Sequence, residues 1–184
     1  MANPNCPIPN NINPLSPTGF KLSISKLPDL TYFCQEANLP EVELPSIEMP
    51  TSFSAIGVPG DLIHFGNLTV QFIVDENLAN YKGVFNWIQG LGFPENYLQY
   101  QALTTSTANP LAPTASASKF GTMVNDYSDA VLEILGSQNT PSQTILFRDL
   151  HPVSLSSLPF VANATDVNYL IGTATFRYTY YDFV

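Results

Sequence analysis

Residues 67–89 read NLTVQFIVDENLANYKGVFNWIQ. Leu68, Val70, Phe72 and Val74 alternate with Thr69 and Gln71, the period of a strand with one buried face. Asp75-Glu76-Asn77 follows, where Asp75 or Asn77 is expected to cap a helix whose positive end suits the acids. From Leu78 to Gln89 the period lengthens. Tyr81, Val84, Phe85 and Ile88 fall at i, i+3, i+4 and i+7, one face of an amphipathic helix. Gly90 or Gly92 ends it, and Pro94 confirms the stop. Trp87 lies beside the apolar stripe and reads as core. This is the one helix that the pattern predicts.

Every other regular segment reads as strand. Phe20–Lys26 alternates, with Phe20, Leu22 and Ile24 on one face. Leu27-Pro28-Asp29 is expected to turn the chain, and Leu30–Glu36 to return as the second strand of a hairpin. Ala130–Leu135 and Ser142–Leu150 form a second hairpin around Gly136–Pro141, and His151–Phe160 reads as a Pro-bounded loop. Thr173–Phe183 is the longest strand expected, with Ala174, Phe176, Tyr178 and Tyr180 facing one way and Thr173, Thr175, Arg177 and Thr179 the other. About six strands and one flanking helix give a mainly β (α+β) fold, an antiparallel sandwich or barrel.

Three stretches fit no regular element. Residues 1–19 hold five prolines and form an extended N-terminal arm. Residues 104–118, TTSTANPLAPTASAS, carry no charge and read as an inserted flexible loop in the single domain 20–184. Residues 38–60 hold Pro40, Pro45, Pro50 and Pro59 and are too long for an ordinary connection. Val42, Leu44, Ile47, Met49 and Phe53 within them are apolar and require burial, either on their own domain or on a partner.

The composition narrows the function. Charged residues make up 11% of the 184, so the surface lacks the charge that keeps a free monomer soluble. Burial against other copies is the expected remedy. Six basic residues (Lys21, Lys26, Lys82, Lys119, Arg148, Arg177) oppose fifteen acidic ones, and none of the six cluster, which argues against tight phosphate binding. Cys6 and Cys34 make neither a disulfide framework nor a zinc site, and Cys34 reads as a buried small hydrophobe. No apolar run is long enough for a membrane anchor, and residues 1–17 do not read as a secretory signal.

Chemistry is sparse. His64 and His151 stand apart, without the spacing of metal ligands. Nucleophile-elbow, phosphate-loop and dinucleotide fingerprints are absent. Asp75-Glu76 is better explained by capping than by acid–base work, and Asp126 with Asp129 reads as a solvated pair. No catalytic residue, metal or cofactor is expected, and the chain reads as structural and not as an enzyme.

Four segments in order resemble the tail tube proteins of contractile-tailed bacteriophages. They are FKLSISKLPDLTYFCQEANLPEVELP (20–45), VPGDLIHFGNLTVQFIVDENLANYKGVFNWI (58–88), FRDLHPVSLSSLPF (147–160) and TATFRYTYYDFV (173–184). Cys34, Leu39 and Pro40 match the first. Gly60, Asp61, Phe65, Thr69, Val70, Asp75, Glu76 and Trp87 match the second. The arm 1–19 and the insert 104–118 depart from the pattern.

The resemblance implies packed antiparallel sheets with one helix, six subunits to a ring, and rings stacked into a hollow tube. Such a tube houses a tape-measure protein, conducts DNA as passing cargo, and is driven by a surrounding sheath. Its ends meet baseplate and tail-end proteins. The location implied is the virion tail, assembled in the host bacterial cytoplasm. On this reading Val42, Leu44, Ile47, Met49 and Phe53 anchor a neighbouring subunit. Ser23, Ser25, Thr69, Gln71, Thr173, Thr175 and Thr179 are the candidates for a polar lumen. Alternatives are a ring of the baseplate or tail terminus and the tube of a bacterial secretion machine. In another class stands a monomeric carbohydrate-binding β-sandwich using Tyr97, Tyr100, Tyr180 and Tyr181.

Overall fold

The computed structural model describes residues 13–100, 126–162 and 169–184. The expected insert 104–118 and the first twelve residues of the N-terminal arm lie outside them. The fold is mainly β and antiparallel, as the pattern predicts, but it holds more elements: eleven strands and two helices among the described residues.

Strand β1 (Phe20–Ile24) buries Leu22 and Ile24 as expected. The hairpin expected to follow it does not form. Residues Pro28–Phe33 make a short helix, α1, with proline in its first turn, where a missing N–H costs nothing. Leu27 and Leu30 flank that turn and are both buried. Burying this pair against the core outweighs the turn that Leu-Pro-Asp allows. The chain then continues as β2 (Cys34–Ala37), which pairs not with β1 but with β7 (Leu68–Ile73). Cys34 is half-buried there, and burial pushes its thiol up to about 11.

Residues 38–60, expected to lack regular structure, hold three strands, β3 (Val42–Glu43), β4 (Ser46–Pro50) and β5 (Ala55–Pro59), and β6 (His64–Phe65) follows before β7. Strand β7 keeps the alternation read from the sequence, with Leu68, Val70 and Phe72 fully buried.

Helix α2 (Ala79–Gly92) starts differently from expectation. Neither Asp75 nor Asn77 holds the N-cap; Leu78 does, in the left-handed conformation (φ 58°) and without a side-chain hydrogen bond. The polar work before the helix is done by Asn80. Its Oδ1 accepts the Asp75 N–H at 3.2 Å, and its Nδ2 donates to the Ile73 carbonyl at 2.8 Å. The buried face is also rotated from the one expected. Asn80, Val84, Trp87 and Gly90 are buried, whereas Phe85 is half exposed. Trp87 is core, as read, and meets Phe176 at 6.2 Å between ring centroids.

Strand β8 (Ser128–Leu135) and β9 (Pro141–Leu155) form the second expected hairpin. β9 is the longest strand, at 15 residues, and runs through His151–Leu155, a stretch expected to be loop. Pro152 is tolerated because the ladder is irregular beside it, with a register shift at Thr175/Phe176. The closing segment is not one strand. It divides into β10 (Ile171–Arg177) and β11 (Tyr180–Phe183). The inward parity changes at that break, so Tyr178 is buried but Tyr180 is exposed, against expectation.

The strands make one path, β1-β8-β9-β10-β7-β2, with β11 added to β9. Two ladders share β9. Residues 141–150 of β9 pair with β8 and β11, and residues 151–155 pair with β10. At the corner between them Asp149 is left-handed, φ 55°. The Asp129 carboxylate accepts its N–H at 3.3 Å and the Arg148 guanidinium at 2.9 Å. Inner faces of both ladders meet α1 and α2 in one core of Leu22, Ile24, Leu30, Val70, Phe72, Val84, Trp87, Phe147 and Phe176 among others.

Candidate functional site

Among the described residues, the largest feature outside the core is the exposed arm β3–β6. Its root is a two-pair ladder, Val42↔Phe65 and Glu43↔His64, extended by the Gly66 N–H donating to the Glu41 carbonyl at 2.9 Å. Further out, the Gly60 N–H donates to the Pro45 carbonyl at 2.7 Å. A Cβ at Gly60 would stand 2.6 Å from that same oxygen, so the close approach requires glycine.

Beyond Gly60 the arm is a hairpin of β4 and β5, and all ten of its strand residues are exposed. Register gives it two unlike faces. Ile47↔Val58 and Met49↔Ile56 share one face, and Ser46↔Pro59, Glu48↔Gly57 and Pro50↔Ala55 the other. Hydrogen bonds between Thr51 and Ser54 close the tip, and Phe53 stands there fully exposed. A lone two-stranded hairpin with an apolar face is marginal in water and calls for a surface to lie on.

All five residues read as interface anchors, Val42, Leu44, Ile47, Met49 and Phe53, are exposed on this arm. The sequence reading missed Ile56 and Val58, which complete the apolar face. Their alternation between Ala55 and Pro59 is the signal that would have found them.

The polar residues read as lumen candidates fall into three places. Thr69 pairs directly with Thr175 and Gln71 with Thr173, so these four form one patch on the outer face of the β7–β10 ladder. Ser23 lies on the other ladder, opposite Val131, and Ser25 follows, its N–H donating to the Asp129 carbonyl. Thr179 sits at the break between β10 and β11. Around Ser23 the charges are paired, Lys21 with Glu133 at 3.6 Å and Arg148 with Asp129 at 2.9 Å.

Open sheet edges complete the inventory. β1 ends one ladder and β11 its other side, while β2 ends the second ladder. Among the described residues, each presents N–H and C=O groups that no further strand pairs. The segment 151–155 of β9 is also an edge, but Pro152 removes a donor there.

Two carboxylates brace the fold. Asp126 and Asp129 are not the solvated pair expected: Asp129 braces the β9 corner, and Asp126 lies under α2. The Asp126 carbonyl accepts the Trp87 indole N–H at 3.0 Å, and its carboxylate accepts the Tyr100 hydroxyl at 3.4 Å. Burial raises the Asp126 pKa, offset in part by that hydrogen bond and by Lys26. Lys26 stands 4.9 Å above the Trp87 ring, and burial lowers it to about 8. His64 is on the arm root and His151 on β9, its ring against Tyr127. Among the described residues no group of three or more His, Cys, Asp or Glu could hold a metal. No helix among them is long and apolar enough to cross a membrane. Of the tyrosines read as a sugar platform, Tyr97 and Tyr100 lie together, but Tyr181 packs on the core.

A family model described as phage tail tube protein matches residues 6–184. Solved structures share the fold at low sequence identity. One is from the sheath–tube complex of an extracellular contractile injection system, PVC, in its extended state. It is 14% identical with a TM-score of 0.60, covering 94% of this chain and 93% of that one. A second is from the anti-feeding prophage baseplate, 12% identical with a TM-score of 0.61, covering 95% and 97%. A third is from the cap that terminates the anti-feeding prophage tube, 14% identical with a TM-score of 0.57, covering 100% and 99%. No curated protein sequence matches this chain.

Proposed function

The chain belongs to the phage tail tube protein family, and from that premise we propose that it builds the inner tube of a contractile tail as stacked hexameric rings. A tail tube-type structural role comes with the family; ring number, stacking and cargo are our reading. The observation that carries it is the arm, an exposed hairpin with an apolar face on a body with open sheet edges.

Within a ring, the ladder β1-β8-β9-β11 supplies the wall, because among the described residues it has an open edge on each side, β1 and β11. β11 of one copy meets β1 of the next, and the repeated head-to-tail contact closes on itself. Ser23 and Ser25 belong to this wall. Its cations Lys21 and Arg148 are already paired with carboxylates, so no free cation of theirs would hold a phosphate and DNA slides past. The patch Thr69, Gln71, Thr173 and Thr175 then forms a separate polar face.

The arm reaches a neighbouring copy through Val42, Leu44, Ile47, Met49 and Phe53, joined by Ile56 and Val58. Residues 20–184 act as one domain, with 1–19 as an arm and 104–118 as an insert. A sheath surrounds the tube, a tape-measure protein fills it before DNA, and baseplate and tail-end proteins meet its ends in the virion, after assembly in the host cytoplasm.

Sedimentation and negative-stain microscopy at rising concentration test this reading. Hollow tubes are expected. Single rings that never stack would move the role to the baseplate or terminus. A protein that stays monomeric at every concentration would count against ring formation altogether.

A further inference from the structure

One side chain touches both the entry to the arm, at Pro40, and its returning strand, at Phe65, and sits on an edge strand. The Tyr181 hydroxyl donates to the Pro40 carbonyl at 3.3 Å, just before β3. Its ring meets Phe65 of β6 at 5.5 Å, edge to face. The same ring meets Phe147 at 5.5 Å and Tyr178 at 6.0 Å, which ties it to the core. Its backbone belongs to β11, which among the described residues pairs only with β9.

We propose that Tyr181 is a positioning residue that couples the β11 edge to the direction of the arm. When a neighbouring copy pairs with β11, that strand is held in place. Tyr181 then holds Pro40 and Phe65, and through them the arm root. A subunit inside a closed ring thereby holds its arm root more firmly than a free subunit does. The consequence is an order of assembly, with the ring first and the stack second. This coupling rests on the tube reading above for its second half only; the latch between Tyr181 and the arm root is a property of the single chain.

Tyr181→Phe removes the hydroxyl and keeps the ring. Phe65→Leu keeps an apolar side chain and loses the ring contact. In the free subunit, hydrogen exchange at the Gly66 amide is expected to rise about fivefold in Tyr181→Phe, the effect of one neutral hydrogen bond. Core amides such as Val70 and Phe147 should stay unchanged. Phe65→Leu should move the Gly66 amide in the same direction. Unchanged exchange at Gly66, or an equal rise at every amide, would overturn the latch.

In assembly, Tyr181→Phe should form rings at the wild-type concentration but stack into tubes only at several-fold higher concentration. Tubes as readily formed as wild type would overturn the coupling. If the wild-type protein forms no rings, the tube reading fails, and the exchange comparison still decides the latch.

Discussion

Two glycines in one hairpin offer a paired test of the arm. A Cβ at Gly60 would lie 2.6 Å from the Pro45 carbonyl oxygen, a backbone atom that cannot swing away. The same Cβ disturbs the 2.7 Å hydrogen bond between that oxygen and the Gly60 N–H. Gly57, three residues earlier in β5, would place its Cβ in open space. Gly60→Ala should therefore cost about 2 kcal/mol in the arm, a lost hydrogen bond together with overpacking. Gly57→Ala should cost nothing, because alanine restricts the unfolded chain and meets no obstacle. Because the arm lies outside the core, neither substitution should move global unfolding. The lone Trp87, buried against Phe176, reports that unfolding by fluorescence in urea. The expected effect of Gly60→Ala falls on assembly instead. About 2 kcal/mol per arm contact raises the concentration needed for tubes roughly 30-fold. Tubes from Gly60→Ala at wild-type concentration would refute the reasoning, and so would an equal defect in Gly57→Ala.

Phe176→Ala should lower stability by about 3–5 kcal/mol, read as a shifted urea midpoint, since the ring is fully buried against Trp87. Gly172→Ala should cost about 1–3 kcal/mol in the same assay, because its Cβ would stand 2.9 Å from the Phe72 ring tip, itself buried. Lys26 is held near 8, below the ordinary 10.5, chiefly by burial, so the folded protein gives up that proton first. Between about pH 8 and 10.5 the unfolded chain binds more protons at this site, and the Lys26 contribution to stability rises with pH. Wild type measured against Lys26→Met at pH 7 and pH 9.5 should show that rise; a constant difference would contradict it. Ile47→Asp, on the arm's apolar face, should leave the urea midpoint within about 0.5 kcal/mol of wild type and abolish stacking seen by microscopy.

Strands with one buried face were legible because alternation survives folding. β7 keeps its three buried residues where the pattern placed them, and β8 and β9 form the hairpin read around Gly136–Pro141. What was not legible has local causes. Helix α1 is six residues long, too short for a 3.6-residue period to show. The break between β10 and β11 is hidden because Tyr180 and Tyr181 are both aromatic, so either parity reads as apolar. Pro152 argues for a loop until the ladder irregularity beside it is seen. In the arm, Pro45 resets the alternation between Val42-Leu44 and Ile47-Met49, so the two strands do not read as one pattern. The five candidate anchors were picked by hydropathy alone, but the face that Ile47 and Met49 share with Val58 and Ile56 depends on cross-strand register, which no single strand encodes. The grouping of Thr69 with Thr175 and of Gln71 with Thr173 has the same origin.

The shared strand β9 has a mechanical consequence. Its backbone runs unbroken from one ladder into the other, with a left-handed residue at Asp149 where they meet, braced by Asp129 and Arg148. Two sheets joined only by side-chain packing peel apart by losing contacts one row at a time. Here a load that tilts one ladder against the other is carried by covalent bonds, and the inter-strand hydrogen bonds on both sides of the corner are strained together, in shear. A chain built this way behaves as a bent beam, stiff along each limb and with little internal give under load.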